Sequence, residues 1–230
     1  MALTRIDHIK IDVPDLKAGA DTSHRLGFDM HLVGAKAIAR NDDDFLELKV
    51  GPAAGISAIA LRSDSLATDQ KAITARGSIA CVVLTDSLQP RNPVPAQHPN
   101  GIYKLERVYV AVPDLAAAVT EWRRILGLPE PKIERGTVIM ADMAIFQFGP
   151  AGLTLAQPYG SGPTADALEN RGPGPFQVLY RTKSMDAAAK WIADHDIPPP
   201  ARGVRNTGEH AMLVPPENAC GAFVGFVGPA

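Results

Sequence analysis

Two side chains far apart in the chain have the chemistry of a proton-transfer pair. His8 sits in "RIDHIKIDVPDL" and Glu47 in "FLELKV". Imidazole and carboxylate both exchange protons near neutrality once burial tunes them. The competing reading of the same pair is a structural His–carboxylate hydrogen bond. A second set grips rather than reacts: Arg62, Arg107, Gln177 and Arg181. A guanidinium offers a planar fork of donors matched to carboxylate or phosphate. These positions therefore read as substrate contacts or as internal salt bridges, the partner of Arg107 then being Glu106 or an acid across a sheet. Tyr109, beside Arg107, is expected to line the same wall or simply to pack, as strand tyrosines do.

Strand alternation must place these groups. Successive strand residues point to opposite faces. Ile9, Ile11 and Val13 then point one way, and His8, Lys10 and Asp12 the other. Glu47 shares a face with Phe45 and Lys49, opposite Leu46, Leu48 and Val50. Val108, Val110 and Val112 oppose Arg107 and Tyr109. The apolar faces are expected to pack under helices. Curved sheets with helices outside turn the polar faces, Lys10 and Asp12 included, into a cavity; the alternative is a solvated sheet face.

The same unit recurs. "KLERVYVAVPDL" repeats the opening about a hundred residues later, and fainter copies surround Leu66 and Met185. In all four copies an extended run meets an N-cap residue (Asp15, Ser65, Asp114 or Ser184) and then an amphipathic helix. Extended runs follow: "DMHLVG", "AKAIARN" and "FLELKV" in the first copy; "TVIMAD", "AIFQFGP" and "LTLAQP" in the third; "HAMLVPP" and "GAFVGFVG" in the fourth. In the second only "IACVVLTD" is clear. The unit reads β-α-β-β-β, which predicts an α+β fold. "SLQPRNPVPAQHPNG" separates the halves, and "YGSGPTADALENRGPGP" reads as a polar loop between copies three and four.

Composition excludes several classes. The 230 residues carry a net charge of −2, so no basic field exists to hold a nucleic-acid backbone. No apolar run approaches the roughly 20 residues needed to span a bilayer, and the N-terminus does not read as a signal peptide. Two cysteines, Cys81 and Cys220, form neither a disulfide framework nor a zinc spacing. A cytoplasmic protein with a small-molecule partner is expected, as monomer or homodimer, with no nucleic acid and no membrane. Asp42–Asp44 lack the spacing and glycine of a calcium loop and read as a solvated hairpin turn. His24 and His31 read as surface or local hydrogen-bonding residues, His195 as a helix-end residue whose partial positive charge suits the dipole, His210 as a strand-start residue with no visible partner, and Trp122 and Trp191 as core or interface.

The fourfold unit, the "HIKIDVPDL" opening, the "FLEL" strand and "ENACGAFVGFV" near the C-terminus resemble the vicinal oxygen chelate superfamily. That group holds the glyoxalases, extradiol dioxygenases and methylmalonyl-CoA epimerase. "QHPNG" before a new strand is similar to the joint of tandem glyoxalase-like proteins. The resemblance implies two cupped mixed sheets with helices outside, residues 1–100 forming one glyoxalase-like domain and 101–230 the other. It also implies one divalent metal (Zn, Fe, Mn, Co or Ni) held by a first-strand His and a last-strand Glu, which stabilises an enolate or activates oxygen. Carried over, those ligands are His8 and Glu47, with His98 of "QHPNG" as a third, unless His98 is only a turn residue. The matching second-copy position is Ala58, and in the second half the four positions are Arg107, Thr154, Gln177 and Gly225, which form no such site. The implied activity is isomerase- or lyase-type proton transfer on a small oxygenated metabolite, metal-assisted or by His8 and Glu47 as acid and base. The alternatives are an extradiol-type dioxygenase and a non-catalytic protein that binds or sequesters a small molecule.

Overall fold

The computed structural model describes residues 3–86, 97–205 and 207–229. In its first module β1 (Leu3–Val13) leads through α1 (Leu16–Arg25) to β2 (His31–Val33), β3 (Lys36–Arg40) and β4 (Phe45–Val50). The second has β5 (Gly55–Ser63), α2 (Leu66–Arg76) and β6 (Val82–Asp86). The third has β7 (Ile102–Ala111), α3 (Leu115–Leu126), β8 (Lys132–Gly136), β9 (Ala141–Phe148) and β10 (Ala151–Pro158). After α4 (Pro163–Arg171), the fourth has β11 (Gly174–Thr182), α5 (Met185–Asp194), β12 (Ala201–Val204), β13 (His210–Val214) and β14 (Phe223–Gly228).

The fold is α+β, as the repeat predicts, with the glyoxalase-like architecture that the resemblance implies. A six-stranded mixed sheet has the order β2-β3-β4-β1-β5-β6, and an eight-stranded one the order β12-β13-β14-β11-β7-β10-β9-β8. Each module closes on itself, its last described strand lying parallel to its first: β4 on β1, β6 on β5, β10 on β7 and β14 on β11. A parallel return needs a crossover, which the module's helix and hairpin supply. Contacts group the described residues into two compact units. One comprises residues 3–7, 58–86 and 107–176; the other comprises 8–57, 97–106, 177–205 and 207–229.

Three of the four expected caps form. Asp15, Asp114 and Ser184 accept from the backbone N–H of Ala18, Ala117 and Ala187. Ser65 does not; the hydroxyl that organises the start of α2 is that of Ser63, which donates to Asp69 and accepts from the Ser65 N–H. The helices cover the apolar strand faces. Ile9, Ile11 and Val13 are buried, and an added methyl on Gly19 of α1 would strike Val13 at 2.8 Å.

Several local expectations change. The polar loop after β10 contains α4, because Pro163 is set up for a first helical turn and the buried Thr164 hydroxyl donates to the Ile139 carbonyl. "TVIMAD" is mostly a hairpin turn, with Met140 at φ 51°, and the strand lies earlier, at β8. The fourth module gains β12. Asp44 of the acidic run is buried rather than solvated: its carboxylate accepts from Asn41 Nδ2 and from the Leu105 N–H. Residues 87–96 of the predicted separator lie outside the described residues. Among the described residues no helix is long and apolar enough to cross a membrane. Cys81 and Cys220 are free thiols, and burial pushes that of Cys81 up to about 11.

Candidate functional site

The parallel register of β1 and β4 sets the geometry. His8 stands opposite Phe45, Lys10 opposite Glu47 and Asp12 opposite Lys49. Directly paired residues share a face, so His8, Lys10, Asp12 and Glu47 project to the same side. The antiparallel register of β3 on β4 adds Lys36, Ile38 and Arg40 to it. Four basic side chains (Lys10, Lys36, Arg40 and Lys49) thus accompany two carboxylates, Asp12 and Glu47, on one face.

Glu47 is 4% exposed. Its Oε2 accepts from Lys36 Nζ at 2.9 Å, and its Oε1 lies 3.9 Å from Lys10 Nζ. Lys49 Nζ lies 3.5 Å from Asp12. His8, 6% exposed, stacks on Phe45 with ring centroids 4.2 Å apart and planes 15° from parallel. Arg40 leans over the other neighbour of this stack, 5.5 Å from the Phe45 centroid. Sequence reading missed Lys36. The signal that finds it is the hairpin register, which sets "KAIAR" against "FLELK" with the two charged rows on one side.

His98 stands apart from this row. The Asp29 N–H donates to its Nδ1 at 2.9 Å, and its Nε2 lies 2.9 Å from Asn41 Oδ1. The ring is therefore a neutral tautomer with Nε2–H donating. Burial holds its pKa below the usual histidine value, outweighing the Arg40 backbone and the Asp29 charge.

These residues do not fit the divalent metal that the resemblance implies. A cation at Glu47 would have to lie where two ammonium groups already do. His98 has both ring nitrogens engaged. Among the described residues no three His, Cys, Asp or Glu side chains gather as a metal's ligands.

The remaining candidates are spread more widely. Arg62 is held by the Asp7 carboxylate, its Nε donating at 2.9 Å, and both side chains are nearly buried. Arg181 donates to Glu106 at 3.0 Å, to the Tyr103 hydroxyl at 3.2 Å and to Glu209, while Arg205 bridges Glu106 and Glu209. Burial works to lower the Arg181 pKa, but these bonds outweigh it and raise it. Both guanidiniums are thus internally neutralised. Gln177 is buried on β11, opposite Phe223, and the Leu179 side chain fills the space beside Gly225. Arg107 and Tyr109 lie on β7, with Arg107 5.9 Å above the Tyr109 ring.

Comparison with known proteins agrees with this fold. Residues 106–214 match the model of the Glyoxalase/Bleomycin resistance protein/Dioxygenase superfamily. Solved structures align over either about half or nearly all of the chain. Methylmalonyl-CoA epimerase from Mycobacterium tuberculosis aligns at 23% identity and TM-score 0.51 over 56% of this chain and 89% of its own. A mutant of 4-hydroxymandelate synthase from Streptomyces coelicolor aligns at 12% identity and TM-score 0.73 over 99% and 94%. A xylose isomerase-like TIM barrel/4-hydroxyphenylpyruvate dioxygenase fusion protein aligns at 14% identity and TM-score 0.66 over 98% and 48%. No curated protein matches the sequence. The chain has the fold of these solved structures, and its residues 106–214 match the model of that superfamily.

Proposed function

We propose that this chain captures a small oxygenated anion on the β1–β3–β4 face and moves a proton there, as an isomerase- or lyase-type enzyme. The observation that carries the reading is the row itself: a nearly buried carboxylate, Glu47, fastening Lys36 and Lys10 beside the stacked ring of His8. In this role Glu47 positions rather than reacts. The ammonium groups of Lys10 and Lys36 balance charge that develops on a carbonyl oxygen as the neighbouring carbon loses its proton. His8 takes that proton and returns it, its plane fixed by Phe45. The excess of basic groups on the face suits a substrate that already bears negative charge.

A second reading, a protein that binds the same kind of molecule without transforming it, draws on the same saturation of Glu47: a carboxylate neutralised by two lysines is suited to holding cations still. One experiment separates the two. Small keto acids and dicarboxylates are screened by thermal denaturation, and each stabilising compound is then followed by proton NMR in deuterium oxide. The enzyme reading expects protein-dependent loss of the α-proton signal, abolished in His8→Gln while stabilisation persists. Stabilisation without exchange supports the binder. If no oxygenated anion stabilises the protein, both readings fail.

A further inference from the structure

We propose that Arg107 and Thr154 form a separate receptor for a small carboxylate, built on the eight-stranded sheet. Both residues belong to the compact unit that contains 107–176. The parallel register of β10 on β7 sets Gly152 against Arg107 and Thr154 against Tyr109. These four residues therefore share one face.

Two polar atoms on that face are buried and have no hydrogen-bond partner among the described residues: Arg107 Nε and Thr154 Oγ1. Thr154 is 0% exposed. Leaving a buried donor unmade costs its full desolvation penalty, and buried polar groups are otherwise almost always satisfied. Two on adjacent strands of one face mark a place where something with acceptor oxygens belongs.

The surroundings choose the chemistry. Arg62 and Arg181 are held by carboxylates, whereas Arg107 lies over the Tyr109 ring. Glycine at 152 lets it lie there: a methyl group at that position would come within 3.2 Å of Arg107 Nε. Tyr109 meets Phe176 edge to face at 6.4 Å, so the floor of the site is aromatic. Gln147, paired with Gly152 on the far side of β10, is exposed and marks the open end. A cationic fork and a hydroxyl donor over an aromatic floor match a planar carboxylate: one oxygen accepts from Arg107 Nε–H and the other from the Thr154 hydroxyl.

The test uses the full chain and sodium acetate, with sodium chloride at matched ionic strength as control. The Arg107 Nε–H resonance is followed by 15N-correlated NMR. Acetate is expected to shift it saturably and chloride to leave it in place. Thr154→Val keeps the shape and removes the hydroxyl, so it should weaken acetate binding about tenfold, the equivalent of about 1.4 kcal/mol. Arg107→Gln should abolish binding. An unsaturable shift, a shift equal to that of chloride, or unchanged acetate affinity in a folded Thr154→Val protein overturns the proposal. Acetate binding weakened in Thr154→Val and lost in Arg107→Gln but retained in His8→Gln keeps this site distinct from the proton-transfer row.

Discussion

Lys36 Nζ lies 2.9 Å from Glu47 Oε2, and this contact ties the outer hairpin of the first module to its buried strand. Lys36 is half exposed while Glu47 is not, so solvent screens one end of the pair only. Losing Lys36 alone should be tolerable, because Lys10 remains on the other carboxylate oxygen. Lys36→Met is expected to cost about 1 kcal/mol in urea unfolding. Lys36→Met with Lys10→Met leaves the carboxylate without either ammonium and should cost about 3 kcal/mol or more. Replacing Glu47 by Gln in that double background should return part of the loss. A double variant as stable as the parent would show that the lysines do not hold Glu47.

Asn100 links the chain before β7 to the end of α1. Its Nδ2 donates to the Leu26 carbonyl at 2.6 Å and its Oδ1 accepts from the Ile102 N–H at 3.1 Å, with the side chain fully buried. Gly27 makes this approach feasible: its φ is +92°, and a Cβ there would lie 2.3 Å from the Asn100 amide. Asn100→Ala should therefore cost about 2–3 kcal/mol, since two buried backbone groups lose their partner. Gly27→Ala combines left-handed strain with a clash and should cost at least about 1 kcal/mol. Chemical denaturation of both variants checks this; near-parent stability of either contradicts the geometry.

His98 makes stability depend on pH in one direction. Its pKa in the folded chain is below the ordinary value of 6.5, chiefly through burial. The unfolded chain therefore binds the proton more readily, and stability rises with pH wherever that holds. The contribution is complete above the unfolded pKa. It is lost as pH falls below about 6.5 and levels off once the folded group also protonates. Melting temperatures from pH 5 to 8 should show a decline toward acid that is shallower in His98→Gln. Parallel profiles for the two proteins would assign the decline to other groups.

Local physics made much of this legible in the sequence. V-P-D-L combines a fixed proline φ with a capping carboxylate, so the strand–helix junctions at Asp15 and Asp114 are readable from four letters. Alternation in "HIKIDV" and "FLELKV" places His8 and Glu47 on one side without knowledge of the partner strand. Groups satisfied at long range were less visible. Arg62 meets Asp7 across 55 positions and Arg181 meets Glu106 across 75. A substrate-gripping arginine and a neutralised one have the same sequence signature, so only the pairing distinguishes them. Asp44 was hidden for the same reason: its partner, the Leu105 N–H, lies 61 residues away. α4 escaped because its stretch is rich in glycine and proline, although Pro163 and Gly172 stand where a helix starts and stops.

The second module shows how a shared pattern is met by different atoms. The fourfold rhythm assigns the cap of α2 to Ser65, yet no side-chain cap bond forms there. Ser63, fully buried at the end of β5, does the organising instead, donating to Asp69 Oδ2 at 2.8 Å and accepting from the Ser65 N–H at 3.0 Å. Ser65→Ala should thus stay within about 0.5 kcal/mol of the parent, while Asp114→Ala, which removes a bond to the Ala117 N–H, should cost about 1 kcal/mol. Ser63→Ala should cost more than either, about 2 kcal/mol, because it takes a donor from a buried carboxylate and an acceptor from a backbone N–H. The order Ser63, Asp114, Ser65 in unfolding free energy is the expected result. Ser65→Ala as costly as Asp114→Ala would restore the cap to the position the repeat assigns.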